Sequence, residues 1–468
     1  MIYTFYHVTD VHYFSKKNFA CDYRSLPQPA TQICIRESEE AFKKALEIIG
    51  NDPDTNTVII TGDLTNHGDE YSHNEVVELL REFTDSGGNP YVVTDSHDYP
   101  DFFIYSIDEN GNKIPAEHLP REKVVPMYYP FGRDKGFDRF GDDTTYIAEI
   151  QPGLYYIAMG YDFTSEETHF APAFSDELMQ WVKNHVDSIK NNGGAVICGT
   201  HRPIVTPSPA YDVVGKGNSF YEGEKRAKEL ADMGVRLFFS GHTHIQCMKE
   251  IVSEKGNSIY SIQTSSLSGF PPKMRKIRID TDTGVVDIRT IDIDLPELEL
   301  GMSFTDYARR GFLGIIEDIP YNMEHDVEAF ANTEGGVTLP KELILKHPKI
   351  VMYIGRRLNS LNYGSIAMFS KKYNGMCEND YSYVKDKKIV TLLFDIVSNL
   401  YRGNAPYSPE TVEYKLMTGS VKKIEKLMKH LHIDAKKLLA GYTLSEFIEP
   451  LLFNSGLDDD NLTLHIKN

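Results

Sequence analysis

Five short blocks of His and Asp recur in the first half of this chain, each directly after an apolar, strand-like run: Asp10-Val11-His12, Gly62-Asp63, His97-Asp98, Gly199-Thr200-His201 and Gly241-His242-Thr243-His244. A parallel α/β sheet opens the carboxyl ends of its strands onto one crevice, so side chains far apart in sequence can converge there. Carboxylate oxygen and imidazole nitrogen together form a ligand set for a pair of divalent transition ions. A lone D-x-H arises readily by chance, and a lone G-H-x-H is only moderately specific. All five blocks, in order and each at a strand end, are far harder to obtain by accident. They read as a two-metal hydrolytic centre.

A chain of 468 residues exceeds the size at which one hydrophobic core keeps growing, so two domains are expected, with room for a third small subdomain. Its 41% hydrophobic and 25% charged content is that of an ordinary globular protein. The first residues, Met1-Ile2-Tyr3-Thr4-Phe5-Tyr6, run straight into a strand pattern with no basic region or apolar core of a secretory signal. No stretch approaches the roughly 18 uninterrupted apolar residues of a membrane span. Five well-separated cysteines without a C-x-x-C pair suggest reduced thiols. A cytoplasmic location and no membrane partner are the expectations. The net charge of −19 disfavours nucleic acid as a partner, because binding a polyanion relies on Lys and Arg displacing counterions. A small phosphorylated substrate needs only a few positive groups.

Strand-like and helical stretches alternate through the first part, the pattern of an α/β domain. Strands are expected at Tyr3–Thr9, Thr57–Thr61, Tyr91–Thr94, Leu154–Gly160, Ala195–Gly199, Arg236–Ser240 and Ser258–Thr264, and helices at Ser38–Ile49, Asn74–Phe83, Ser175–Lys190 and Glu224–Met233. An insertion over 99–141, beginning with a hairpin that turns at Asn110-Gly111, follows the His97 block and is a candidate lid. Met274–Ile293 reads as a further hairpin. From about Leu295 the pattern turns helical, giving domains at 1–295 and 296–468. In the tail, Ile424, Leu427, Met428 and Leu431 share one helical face opposite several lysines, which reads as a helix packed on a core with a solvated basic side.

The order D-x-H, G-D, H-D, H, G-H-x-H resembles the calcineurin-like metallophosphoesterase superfamily over roughly residues 1–290. Thr61-Gly62-Asp63-Leu64-Thr65-Asn66, the insertion and the helical tail resemble bacterial class III cyclic-nucleotide phosphodiesterases. The resemblance implies a four-layer α/β/β/α sandwich followed by a mainly helical C-terminal domain. It also implies that Asp10, His12 and His244 bind one metal, His201 and His242 the other, and Asp63 bridges them. The activity implied is hydrolysis of a small phosphodiester, such as a cyclic nucleotide, or of a phosphomonoester.

The chemistry suits that set. Two ions about 3.5–4 Å apart can share a hydroxide and clamp the attacking and leaving oxygens at phosphorus, and coordination lowers the pKa of water from 15.7 to about 7. Mn, Fe, Zn and Co all accept such ligands. In the family His97 is no ligand but the general acid for the departing alkoxide. Asp98 is expected either to orient its ring or to cap a turn.

One block departs from the family pattern: where Gly-Asn-His-Asp or Gly-Asn-His-Glu is usual, this chain has Asp95-Ser96-His97-Asp98. Ser96 therefore occupies the position of a ligand Asn, and a neutral hydroxyl is the poorer donor; Asp95 is a substitute carboxylate. This departure favours an alternative reading, a catalytically impaired binding or scaffold protein on the same fold. Arg202 is a candidate for pairing with a substrate phosphate through its planar fork, or for an ordinary ion pair. Asn66 is a candidate phosphate donor or a turn residue. His7, His67, His73, His169 and His185 lack ligand spacing and read as structural or exposed, and Lys216 as part of a flexible turn.

Overall fold

A computed structural model describes residues 1–141, 144–160, 171–214, 218–332, 341–405, 407–430, 432, 434–439, 441–453 and 456–466; His169 and Lys216 lie outside the described residues. Three parallel strands, β1 (Ile2–Val8), β2 (Thr57–Thr61) and β3 (Asn89–Val93), open the chain, with Tyr6 beside Val58 and Ile59 beside Tyr91. A hairpin, β4 (Tyr105–Ile107) and β5 (Lys113–Pro115), stands apart inside the insertion. The next seven strands are β6 (Asp138–Phe140), β7 (Thr145–Gln151), β8 (Leu154–Ala158), β9 (Ala195–Gly199), β10 (Leu237–Ser240), β11 (Cys247–Val252) and β12 (Ser258–Gln263). They form a second sheet in the order β11-β12-β10-β9-β8-β7-β6. The chain then returns to the first sheet through β13 (Lys273–Asp280) and β14 (Val285–Asp292). The edge strand β15 (Leu462–His465) comes from the far end of the chain and completes the order β15-β14-β13-β1-β2-β3.

The two-residue period of a strand sends neighbouring side chains to opposite faces, and both faces here are buried. Phe5, Ile59, Tyr91 and Val93 of the first sheet meet Tyr146, Tyr156, Ile197 and Phe239 of the second between the sheets. On the outer face of the first sheet, Tyr6, Val8, Val58, Ile60 and Val92 pack against Phe42, Ala45 and Ile49 of the helix Ser38–Gly50 and Val76 and Leu80 of the helix Glu70–Asp85. Ile157, Val196 and Phe238 do the same for the second sheet against Leu178, Val182, Ala227 and Leu230. The layers are thus helix, sheet, sheet, helix, as the fold expectation had it. Asp69 caps the second of these helices by accepting from the Ser72 amide at 3.0 Å.

Of the C-terminal helices, Phe304–His325 lies on the first sheet's outer layer, where Phe304, Tyr307, Ala308 and Phe312 join its core. A separate cluster around Tyr363, Leu392, Ile396, Leu416 and Leu452 holds the later helices. Among the described residues no helix is long and apolar enough to cross a membrane.

Two sequence expectations need correction. The crevice is not that of one parallel sheet: the blocks after β1, β2 and β3 come from one sheet and those after β9 and β10 from the other. In the helix Val412–His430, Ile424 and Leu427 are exposed at 46% and 52%, while Leu416, Thr418, Gly419 and Val421 are buried. At Ile424 and Leu427 the apolar spacing is therefore not a core face, because the contact is made two turns earlier; Leu431 lies outside the described residues.

Glu37, just ahead of the first helix, joins the two halves of the chain. It accepts a hydrogen bond from the Tyr307 hydroxyl at 2.9 Å, and burial drives its carboxyl up from 4.5 to about 7. A group raised on folding contributes stability that is complete below its unfolded value and lost as pH rises through its folded one. Between pH 4.5 and 8 the wild type should therefore lose roughly 2–3 kcal/mol relative to Glu37→Gln, whose amide stays neutral. Urea titrations across that range check this; parallel pH profiles would contradict it.

Candidate metal centre

Each of the five blocks sits at the carboxyl end of its strand. Asp10 and His12 follow β1, Asp63 follows β2, the 95–98 block follows β3, His201 follows β9, and His242 and His244 follow β10. Backbone at these ends is bent sharply: φ is +52° at Asp10, +46° at His12, +49° at Asp63, +69° at His242 and +57° at His244. For residues with a Cβ this left-handed region is sparsely populated, and each instance costs about 1–3 kcal/mol. Such conformations turn side chains off the strand axis toward a common point and persist only where surrounding packing enforces them.

The side chains converge. Asp10, His12 and His244 form one group whose ligand atoms lie within 4.8 Å of one another, and Asp63, His201 and His242 form another. A third group, His12, Asp63 and His97, links them. His12 Nε2 and His244 Nε2 are 2.9 Å apart, and His244 Nε2 is 3.1 Å from Asp10 Oδ1. His201 Nε2 is 3.0 Å from Asp63 Oδ2 and 3.2 Å from His242 Nδ1. Asp10, Asp63, His12 and His201 are almost wholly buried.

The residues fit a pair of cations. Asp10 Oδ2 accepts from the Thr9 hydroxyl at 2.7 Å and the His242 amide at 2.9 Å, while Oδ1 is buried without a hydrogen-bond partner and faces three imidazoles. His201 Nδ1 donates to the Thr61 carbonyl at 2.7 Å, which turns Nε2 toward Asp63, and Asp63 with Asp10 outweighs burial to raise this imidazole to about 10, a pull that a cation at Nε2 would replace. Burial alone would raise the Asp10 and Asp63 carboxyls. Coulombic attraction to His244 and His201 holds Asp10 well below the usual carboxylate range, and His201 and His97 do the same for Asp63. Burial pulls His12 down to about 4 and, with help from Arg202, takes His242 well below its ordinary value. Two anionic carboxylates in a desolvated space, strong enough to draw a proton onto His201, are donors that suit cations.

Around this core, His97 stands edge-to-face on His12 with ring centres 4.7 Å apart. Its amide donates to Asp63 Oδ1 at 3.0 Å, and its Nδ1 faces the Asn66 carbonyl at 2.8 Å. Asp98 does not orient that ring, which corrects the catalytic expectation for it. Its Oδ1 accepts from the Thr65 amide and its Oδ2 from the Asp95 amide, each at 3.0 Å, so its carboxylate closes the turn that carries His97. In that desolvated position, beside Asp63, its carboxyl is pushed well above the carboxylate range.

Asp95 Oδ1 accepts from the Ser96 amide at 2.7 Å and lies 3.4 Å from Arg202 Nε, so the two candidates for other roles form an ion pair at the rim. Asp95 belongs to none of the ligand groups. Asn66 enters through its backbone carbonyl. His7 bridges the Thr264 and Thr61 hydroxyls and His73 bridges Tyr128 and the Asp98 carbonyl, both in the structural roles expected. Sequence reasoning missed Thr9, Gln32, which meets His244 Nδ1, and Phe102, which lies 4.9 Å from the His97 ring. Thr9 adjoins a block and was legible; the other two carry no local signal.

The family model for calcineurin-like phosphoesterases matches residues 3–246, more than half of the chain. No curated protein sequence matches it. Among solved structures the chain is similar to a dimetal phosphatase from Danio rerio, at 13% identity over 62% of this chain and 99% of that one with a TM-score of 0.41. It is also similar to a purple acid phosphatase from yellow lupin (Lupinus luteus) seeds, at 13% identity over 62% and 52% with a TM-score of 0.32. A phosphopantetheinyl hydrolase from Mycobacterium tuberculosis is similar at 10% identity over 56% and 89%, with a TM-score of 0.28.

Gly241 gives the sharpest test of this geometry, because a Cβ there would fall on Thr9 Oγ1 and Asp10 Oδ2. Gly241→Ala should therefore displace Asp10 and weaken Mn²⁺ binding by roughly tenfold or more while leaving the circular dichroism spectrum intact. Equilibrium dialysis showing undiminished binding would contradict the placement.

Proposed function

The chain belongs to the calcineurin-like phosphoesterase family and is a metal-dependent hydrolase of phosphoester bonds, and we propose that its substrate is a small phosphodiester carrying a planar group, such as a cyclic nucleotide. The observation that carries this reading is the aromatic wall beside His97. Phe102, 42% exposed, stands with its ring centre 4.9 Å from His97; Phe103, 60% exposed, stacks on Tyr105 at 6.4 Å. Tyr105 in turn meets His67 edge-on at 4.3 Å. Exposed aromatic faces next to a proton donor suit a leaving group that bears a flat ring. The charge of −19 argues against a long polyanion at the same site.

In this reading Asp10, His12 and His244 would hold one divalent ion and His201 and His242 the other, with Asp63 available to both. When bound, such a pair supplies Lewis acidity toward the phosphoryl oxygens and lowers the pKa of attacking water. The chain's own residues do the rest. Anchored through Nδ1 on the Asn66 carbonyl, His97 presents Nε2 to the leaving oxygen and donates its proton there as the P–O bond breaks. The His97 amide on Asp63 Oδ1 ties that donor to the shared carboxylate, and the Asp98 turn fixes its height above His12. Arg202, held at the rim by Asp95, lends positive charge on the His242 side. Mn is the first metal to try, with Fe, Zn and Co as alternatives.

The test compares two diesters with Mn²⁺ present. His97→Ala should slow hydrolysis of a cyclic nucleotide, whose departing alkoxide needs a proton, by roughly 10²–10⁴-fold. On bis-p-nitrophenyl phosphate, whose phenolate leaves unprotonated, the loss should be much smaller. Equal losses would remove His97 as the acid. No hydrolysis of either ester with any of these metals would favour the reading of Ser96 as the mark of a binding protein.

A further inference from the structure

The segment 28–32 connects the metal centre to the helix Phe304–His325. Gln32 Nε2 donates to the Phe270 carbonyl at 3.0 Å, and the Phe270 amide donates back to the Gln32 carbonyl at 3.1 Å. A carbonyl oxygen only accepts, so the side-chain amide is oriented, and the atom meeting His244 Nδ1 is Oε1. Oε1 in turn only accepts, which places the imidazole proton on Nδ1. His244 Nε2 then keeps its lone pair toward Asp10 Oδ1 at 3.1 Å, the single tautomer in which this ring can bind a cation at Nε2.

The segment that carries Gln32 and the Phe270 that orients it are both held by the helix. The Thr31 amide donates to the Gly311 carbonyl at 3.1 Å, and Gln28 joins the Tyr307 carbonyl and Arg310, each at 2.6 Å. Gly311 and Gly314 permit the approach: a Cβ on the first would lie 3.1 Å from the Thr31 carbonyl oxygen, and one on the second 3.0 Å from Ala30 Cβ. Between these glycines Phe312 stacks on Phe270, with ring centres 5.3 Å apart and planes 22° from parallel.

We propose that Gln32 is a positioning residue that fixes the tautomer of His244, and that the helix Phe304–His325 is part of the metal-binding machinery because it holds Gln32 in place. This rests on the reading of His244 as a ligand. It gives the C-terminal half a role that the motifs of the first half do not reveal.

The experiment measures Mn²⁺ affinity by equilibrium dialysis and, in the metal-free protein, the ¹⁵N chemical shifts of the His244 ring. Gln32→Leu should weaken Mn²⁺ binding at one site by about 10–100-fold and abolish the uniform Nδ1–H signature. Gln32→Glu keeps an acceptor for Nδ1–H but loses the donor to Phe270, so it should retain the tautomer and most of the affinity. If Glu fails as badly as Leu, Gln32 serves only to brace Phe270 and the proposal falls. Gly311→Ala and Phe312→Leu, which touch no ligand, should weaken Mn²⁺ binding in the same direction, and unchanged affinity in both would remove the helix from the account. Wild-type protein that binds no Mn²⁺ yet shows the Nδ1–H tautomer would overturn the ligand reading and leave the Gln32 contact standing.

Discussion

Two carboxylates held out of water against a cluster of buried imidazoles set the terms for the rest of this molecule. Removing a carboxylate from solvent costs several kcal/mol after relaxation. Asp10 spends one oxygen on Thr9 and the His242 amide, while the other has no hydrogen-bond partner and faces three imidazoles, which is the arrangement of a ligand atom. Left-handed backbone at Asp10, His12, Asp63, His242 and His244 adds strain at the same place. An apolar sandwich whose sheets are buried on both faces supplies the rigidity that holds such an arrangement together. Divalent cations relieve the electrostatic part of the cost, so in this account the affinity for metal is the mirror image of what the fold gives up to build the site.

The two-sheet design matters for the same reason. β1 and β2 carry Asp10, His12 and Asp63 on one sheet, and β9 and β10 carry His201, His242 and His244 on the other. Neither of the two groups read as metal sites is complete on one sheet: Asp10 and His12 need His244, and Asp63 needs His201 and His242. The packing of Phe5 and Ile59 against Ile197 and Phe239 is therefore what sets the spacing between half-sites. Glycine serves the joint as well, since a Cβ at Gly62 would lie 2.6 Å from His201 Nδ1.

Much of this was legible in the residues because strands that end in Asp or His announce themselves twice, by β-branched runs such as Thr57–Thr61 and by the polar block that follows. The ligand groups, the strand ends and the structural His7 and His73 follow from that. What stayed hidden depends on distance along the chain. Asp98 reads as a ring partner for His97 when only adjacency is visible; in space its carboxylate is taken by backbone amides. Gln32 and His244 are far apart in sequence, and no local pattern connects them. Ile424 and Leu427 show that helical spacing marks a candidate face without saying whether anything covers it. β15 is too short, and too far from its partner β14, to be read from period alone.

The helical tail is woven into the catalytic half at several points: Tyr307 on Glu37, Phe312 on Phe270, the Tyr401 carbonyl on the Gln246 amide, and β15 along β14. The Gln246 contact falls two residues from His244, and the central claim comes down to one direct observation. That observation is the anomalous diffraction of crystals grown with Mn²⁺. Two peaks per chain, one beside Asp10, His12 and His244 and one beside His201 and His242 with Asp63 between, are the predicted result; peaks elsewhere, or none at saturating Mn²⁺ with these side chains in place, would contradict it.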